Sequence, residues 1–256
     1  MILSVLQARV SSTRLPGKVL KPILGRPMLL RQIERIERAT LIDRFILATS
    51  SDPSDDPVEK LCRENNIHCV RGSLNDVLDR FYQASLPLNP DHVVRLTGDC
   101  PLADPVVIDQ VISFHLQGGF DYTSNTFIPT FPDGLDVEVF RFSCLHQAWK
   151  EAKLPSQREH VTPFIHQQPD RYKIGSVTNL IDLSQLRWTV DEQDDFELVT
   201  MIYEALYPRN PMFSMQDVLN LLDEKPQLKV YNTHFKRNEG FQKSLAEDRT
   251  PPQKDG

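Results

Sequence analysis

The run ILSVLQARVSSTRLPGKVL, residues 2–20, changes character after Gln7. ILSVLQ (2–7) is a short apolar stretch of strand length. Residues 8–20 then bring Arg9, Arg14 and Lys18, the hydroxyl residues Ser11, Ser12 and Thr13, and the turn-forming pair Pro16-Gly17. A buried strand that runs straight into a cationic, hydroxyl-rich loop predicts an α/β sheet whose ligand sits beyond the carboxyl ends of its strands.

The pattern outward from this run agrees. MLLRQIERIERA (28–39) puts Leu29, Ile33 and Ile36 on one helical face with charges opposite. RFILATS (44–50), HCVRG (68–72) and HVVRLTGD (92–99) read as strands. The segments 56–66, 74–84 and 104–117 read as helices, the first and last opening on Asp-Pro. Strands alternating with helices predict a mainly parallel sheet covered on both faces. The rhythm loosens after residue 120. There Leu135, Val137 and Val139 alternate as in a strand, 155–168 begins as a capped helix, and YKIGSVTN and LRWTVD read as strands. Helices return at 194–207 and 214–224. The expected organisation is one domain over 1–231, with a β-rich insertion in its second half, and a polar, frayed tail over 232–256.

The 256 residues carry a formal net charge of −6, so the basic loop is a local feature and not part of a broad basic face. That favours a small polyanionic ligand over a nucleic acid. No apolar stretch is long enough to cross a membrane, and the first residues read as a core strand rather than a leader. The four cysteines form no CxxC pair, which suits reduced thiols in a cytoplasmic protein.

The opening loop is not a Walker A motif, because Val19 follows Gly17-Lys18, and no GxGxxG follows the first strand. Arg9, Arg14 and Lys18 are nevertheless the groups that hold polyphosphate and neutralise charge as a phosphoryl bond breaks. Asp99 ends a strand in Thr97-Gly98-Asp99, where a carboxylate can hold Mg²⁺. Asp191 ends WTVD and is either a second ligand of that ion or the cap of the helix behind it.

With these residues in view, QARVSSTRLPGKVL resembles the signature opening of the sugar-acid cytidylyltransferases. VVRLTGDCPLADPVVID, TFPDGLDVEVF, REHVTPFI, LRWTVDEQDDFELV and RNEGFQKSLAEDR together resemble the spore coat polysaccharide biosynthesis protein F branch of that family. The resemblance implies a Rossmann-like three-layer α/β/α nucleotidyltransferase fold. It also implies transfer of CMP from CTP to a sugar acid with release of pyrophosphate, Mg²⁺ as cofactor, and a homodimer formed through the irregular half. Carried over by motif, Arg9, Ser12, Arg14 and Lys18 hold the phosphates and Asp99 and Asp191 the metal, while Arg71 and Asp76 fall near the base or the incoming sugar.

The sugar is expected to be read by Asn125, Asp133, Glu138, Arg158, Glu159 and His160, polar residues near turns and helix starts of the second half. Arg158 is the candidate grip for a carboxylate. His160 is either a hydrogen-bond donor to substrate or a locally satisfied helix residue. Two other functions fit parts of the chain. Asp136-Val137-Glu138 resembles the DxD metal motif of nucleotide-sugar glycosyltransferases, and a non-catalytic nucleotide-binding subunit would also keep the basic loop.

Overall fold

Leu3 and Val5 of β1 (Ile2–Gln7) are buried in one apolar cluster and Leu6 in another, on the opposite face of the strand. That alternation means the sheet is covered on both sides. The computed structural model describes residues 1–235, Arg237, Phe241, Ser244, Leu245, Ala246 and Asp248.

After β1 the chain forms the small ribbon β2 (Pro22–Ile23) and β3 (Arg26–Pro27), then α1 (Met28–Ile36), β4 (Arg44–Ser50), α2 (Asp56–Glu64), β5 (Cys69–Gly72), α3 (Val77–Ser85), β6 (His92–Thr97) and α4 (Pro105–Gly118). The second half supplies β7 (Tyr122–Ser124), β8 (Glu138–Arg141), α5 (Phe142–Glu151), α6 (Pro155–His160), α7 (Pro163–His166), β9 (Ile174–Ser176), α8 (Gln193–Leu206) and α9 (Met215–Glu224). The main sheet has the order β5-β4-β1-β6-β8-β7-β9. Pairing is parallel except on the two sides of β8, which runs antiparallel to β6 and β7.

One core cluster joins α1, α2, α4, α8 and α9 to the sheet; the other joins α3, α5 and α7. The expected three-layer fold is therefore present. Local signals set its helix ends: Asp104 caps α4 through Val106 N and Val107 N ahead of Pro105, and Gly119, at φ 60°, ends it.

The second half departs from the sequence reading in several places. The segment 186–191 is not a regular strand but makes a single bridge, Asp133 to Arg187. The segment 155–168 begins as a helix, α6, as expected, but the helix breaks where Val161 takes φ 71° ahead of Thr162-Pro163 and a second short helix, α7, follows. The described part of the tail is docked: Asn232 is buried and bonds Asp195 and the Arg187 carbonyl. The remainder of the expected tail lies outside the described residues.

Candidate active site

Gln7 and Thr97 are register partners at the carboxyl ends of β1 and β6, so the loops beyond them start side by side. Gly98 donates its N–H to the Gln7 carbonyl at 2.7 Å. A Cβ at residue 98 would lie 2.9 Å from the Ala8 Cβ, so the close approach of the two loops requires glycine there. The opening loop is anchored by Val10 N–H donating to Asp55 Oδ1 at 2.6 Å. It is closed by Gly17 N–H donating to the Val10 carbonyl at 3.0 Å, with Gly17 at φ 71°. Ser12 accepts from Leu15 N–H, so its hydroxyl shapes the loop.

This turn delivers Lys18 to a buried point between two carboxylates. Its Nζ donates to Asp191 Oδ1 at 2.8 Å and to the Val190 carbonyl at 2.7 Å, and lies 3.6 Å from Asp99 Oδ2. Burial alone would lower the Lys18 pKa, but Asp99 and Asp191 outweigh it and hold the ammonium above its ordinary value. For Asp99, burial acts upward; Lys18 and the Thr97 hydroxyl, which donates to Oδ1 at 2.6 Å, outweigh it and keep the carboxyl low.

Asp191 reaches this point because the irregular run before α8 is tied back to the Asp99 loop. Val190 N–H donates to the Asp99 carbonyl at 2.7 Å. The other Asp191 oxygen meets Arg14 at 2.9 Å and Arg187 at 3.3 Å. The cap of α8 is Glu192, and Asp195 in the first turn completes a capping box, its Oδ2 accepting from the N–H groups of Asp191 and Glu192 at 2.9 Å each. Asp191 thus faces cations with both oxygens and leaves capping to its neighbour.

These groups line one cleft of about 740 Å³, a size suited to a nucleotide. Of the residues expected to act, Arg9, Ser12, Arg14, Lys18 and Asp99 line it from the first half. Asp133, Glu159, His160 and Asp191 line it from the second. Ser244 donates to Glu159 Oε2 at 2.7 Å and lies 3.0 Å from His160 Nε2, and the Phe241 ring stands edge-on to His160.

Five expected site residues do not line the cleft. Arg71 is held by Glu59 and Asp56 at 2.7 and 2.8 Å. Asp76 caps α3 through Asp79 N–H and pairs with Arg158. Arg158 is committed to that pair and to the Trp149 carbonyl, so it is not placed to grip a substrate carboxylate. Asn125 is buried and stitches Leu135 and Val137 with its side-chain amide. Glu138 is buried among Arg95, Tyr122 and Thr162.

The sequence reading missed Arg80, Arg95, Thr189, Arg187, Phe241 and Ser244, all of which line the cleft. Asp136, read only as part of a DxD-like pattern, lines it too. Burial raises the Asp136 carboxyl to about 7, with Arg237 opposing and Asp133 and Asp99 adding to the rise. Arg237 donates to Asp136 Oδ1 at 2.9 Å. For Arg80 a signal existed: it sits in the apolar stripe Val77, Phe81, Ala84 of α3, the face that packs on the sheet.

Two carboxylates converging on one cation, with further cations on the rim, fit the donor set of Mg²⁺, which takes one or two protein carboxylates and completes its shell with phosphate oxygens and water. Among the described residues no group of three or more His, Cys, Asp or Glu forms a self-sufficient metal cage.

Comparison with known proteins gives the same direction. The model of the cytidylyltransferase family matches residues 3–240. The chain is 33% identical over 232 residues to the spore coat polysaccharide biosynthesis protein SpsF of Bacillus subtilis, covering 88% of this chain and 95% of that one. It is 33% identical over 111 residues to the 3-deoxy-manno-octulosonate cytidylyltransferase of Trichlorobacter lovleyi, covering 43% of each. The solved structure of a cytidylyltransferase from Leptospira borgpetersenii superposes with a TM-score of 0.84 at 31% identity, covering 89% of this chain and 96% of that one.

Proposed function

The chain belongs to the cytidylyltransferase family, and on that premise we propose that it joins a sugar acid to CTP, giving a CMP-sugar and pyrophosphate for surface polysaccharide or glycoconjugate synthesis. The observation that carries this reading is the Lys18 ammonium held between Asp99 and Asp191 in a cleft rimmed by Arg9 and Arg14.

The reaction is an in-line attack of a sugar hydroxyl on the α-phosphorus, with pyrophosphate leaving. Asp99 and Asp191 are the residues that would hold Mg²⁺, which when bound supplies charge neutralisation on phosphate oxygens and lowers the pKa of the attacking hydroxyl. Lys18 and Arg14 turn from Asp191 to the β- and γ-phosphates and stabilise the charge that grows on the leaving group. Glu159, His160 and Asp133 face the sugar. No covalent protein intermediate is required, because positioning and electrostatics carry this class of transfer.

The glycosyltransferase reading loses its motif. Asp136 lines the cleft, whereas Glu138 is turned into the protein against Arg95, Tyr122 and Thr162. A non-catalytic role would leave two carboxylates and three cations converging without use.

The reading extends to a homodimer through the irregular half. Thr130 bonds Asn179 and Leu183, which joins two loops that expose Phe127, Ile128, Leu180 and Ile181. Exposed apolar side chains gathered on one face mark an interaction surface. A cytoplasmic location accords with four free cysteines and with no described helix long and apolar enough to cross a membrane. The test is incubation with CTP, Mg²⁺ and a pool of sugar acids, read by mass spectrometry. A CMP-sugar is the expected product; CTP left intact with every acid in the pool would overturn the reading.

A further inference from the structure

Arg80 is 1% exposed on the sheet-facing side of α3. Its stem packs over Gly72, where a Cβ would sit 3.1 Å from the Arg80 Cγ. One guanidinium nitrogen donates to the Ser73 carbonyl, while its Nε has no partner. No carboxylate of the described residues comes within ion-pair distance. Asp55 and Asp76 act on it from further off, but Asp55 is committed to Val10 and Ser50, and Asp76 to Asp79 and Arg158.

Three other cations of the cleft wall are compensated. Lys18 meets two carboxylates, Arg187 meets Asp133, Asp191 and Asp195, and Arg95 pairs with Glu138. Arg9, beside Arg80 in the same wall, makes no hydrogen bond or ion pair among the described residues. Leaving a guanidinium buried and unmatched is costly unless something else supplies the anion. Burial, with Arg9 adding to it, draws the Arg80 guanidinium down to about 10. Asp55 and Asp76 oppose that fall from a distance without offsetting it.

We propose that Arg80 and Arg9 form an oxyanion subsite, separate from the Lys18 pair, that takes one anionic group of the substrates, a phosphate of CTP or the carboxylate of the sugar acid. The identity of those two anions rests on the cytidylyl-transfer reading; the subsite itself does not. A guanidinium fork matches either group in bidentate fashion, and a second cation beside it raises the charge the anion meets.

The test uses Arg80→Gln, which removes the charge, and Arg80→Lys, which keeps the charge but loses the fork. Each is first checked for folding by its melting curve, and Arg9→Gln serves if neither folds. Binding of CTP and of cytidine is measured by calorimetry. Stabilisation by sulfate and by acetate is measured as the rise in melting temperature. If the subsite takes phosphate, Arg80→Gln weakens CTP by about tenfold or more, leaves cytidine unchanged, and Arg80→Lys recovers part of the loss. If it takes the carboxylate, CTP binding is retained and the stabilisation by sulfate and acetate is lost. A folded Arg80→Gln protein that keeps CTP affinity and both anion effects would overturn the proposal and leave Arg80 as the anchor of the Ser73 turn. These readouts involve no turnover, so failure of the enzyme to consume any sugar acid remains a separate result.

Discussion

Lys18 and Asp191, 173 positions apart in sequence, meet at 2.8 Å between the opening loop and the start of α8. The contact closes the cleft from opposite ends of the chain, and the Asp99 carboxylate lies 3.6 Å from the same ammonium. Each carboxylate stabilises the charged lysine, and the lysine in turn holds the Asp99 carboxyl below its ordinary range. A site assembled this way is ready for a polyphosphate and its cation, because both partners of the ion pair can exchange one another for ligand groups.

Asp191 and Asp195 separate chemistry from stability. Asp191→Asn keeps size and hydrogen bonding and does not touch the α8 cap, so it should cost about 1–2 kcal/mol in stability at most. Its turnover should fall about 100-fold or more, the scale of one lost electrostatic contributor. Asp195→Ala strips partners from Arg187, Asn232 and the N–H groups of Asp191 and Glu192 just ahead of α8. It should destabilise by about 3–5 kcal/mol, the cost of breaking a buried ion pair by removing one partner. Chemical denaturation and pyrophosphate release on both variants check this; a strongly destabilised Asp191→Asn would reverse the assignment.

Lys18→Ala should lower kcat/KM by about 2–4 kcal/mol in transition-state terms while leaving the fold intact. Steady-state kinetics with CTP varied is the check, and an unchanged kcat/KM would remove Lys18 from the phosphate site.

Arg158→Ala should behave as a structural variant. Its ion pair with Asp76 is about a quarter to a third exposed, so the loss should be about 1–2 kcal/mol. The KM for the sugar acid should not move. A large rise in that KM with normal stability would return Arg158 to the substrate.

His115 makes an acid-labile point in the core. It is fully buried between His92 and Thr123. Burial first, then His92 and Arg141, draw its pKa down to about 3. The unfolded chain therefore binds a proton that the folded chain refuses, and stability is lost as pH falls from about 6.5, the unfolded value, toward 3. Between about pH 6.5 and 5, before carboxylates titrate, the melting temperature should already decline, and His115→Asn should flatten that slope. An unchanged slope in a folded variant would assign the loss to other groups.

The parallel half of the fold was legible because its signals are local. Apolar runs of strand length, the stripe Leu29, Ile33, Ile36 and the Asp-Pro helix starts each need only a few neighbouring residues. The cationic loop and the Gly98 turn were legible for the same reason. α5 was missed although Leu145 and Ala148 are buried in it, because its short apolar face is interrupted by polar residues. Arg158 read as a free cation because its partner Asp76 lies 82 positions away. Arg80 is legible only from its place in the apolar stripe of α3, which points it inward. Glu138 and Asn125 read as site residues because a buried polar side chain with all its bonds made looks, in sequence, like one awaiting a ligand.

The central claim is that the Lys18–Asp99–Asp191 cleft transfers CMP from CTP to a sugar acid. The most direct measurement tracks pyrophosphate and CMP-sugar together in one reaction of purified enzyme with CTP, Mg²⁺ and the sugar acid it consumes, beside the Lys18→Ala variant. The two products should appear one for one, only when the acid is present, and the variant should form both much more slowly. Pyrophosphate released without a CMP-sugar, or CTP left intact with every sugar acid supplied, would contradict it.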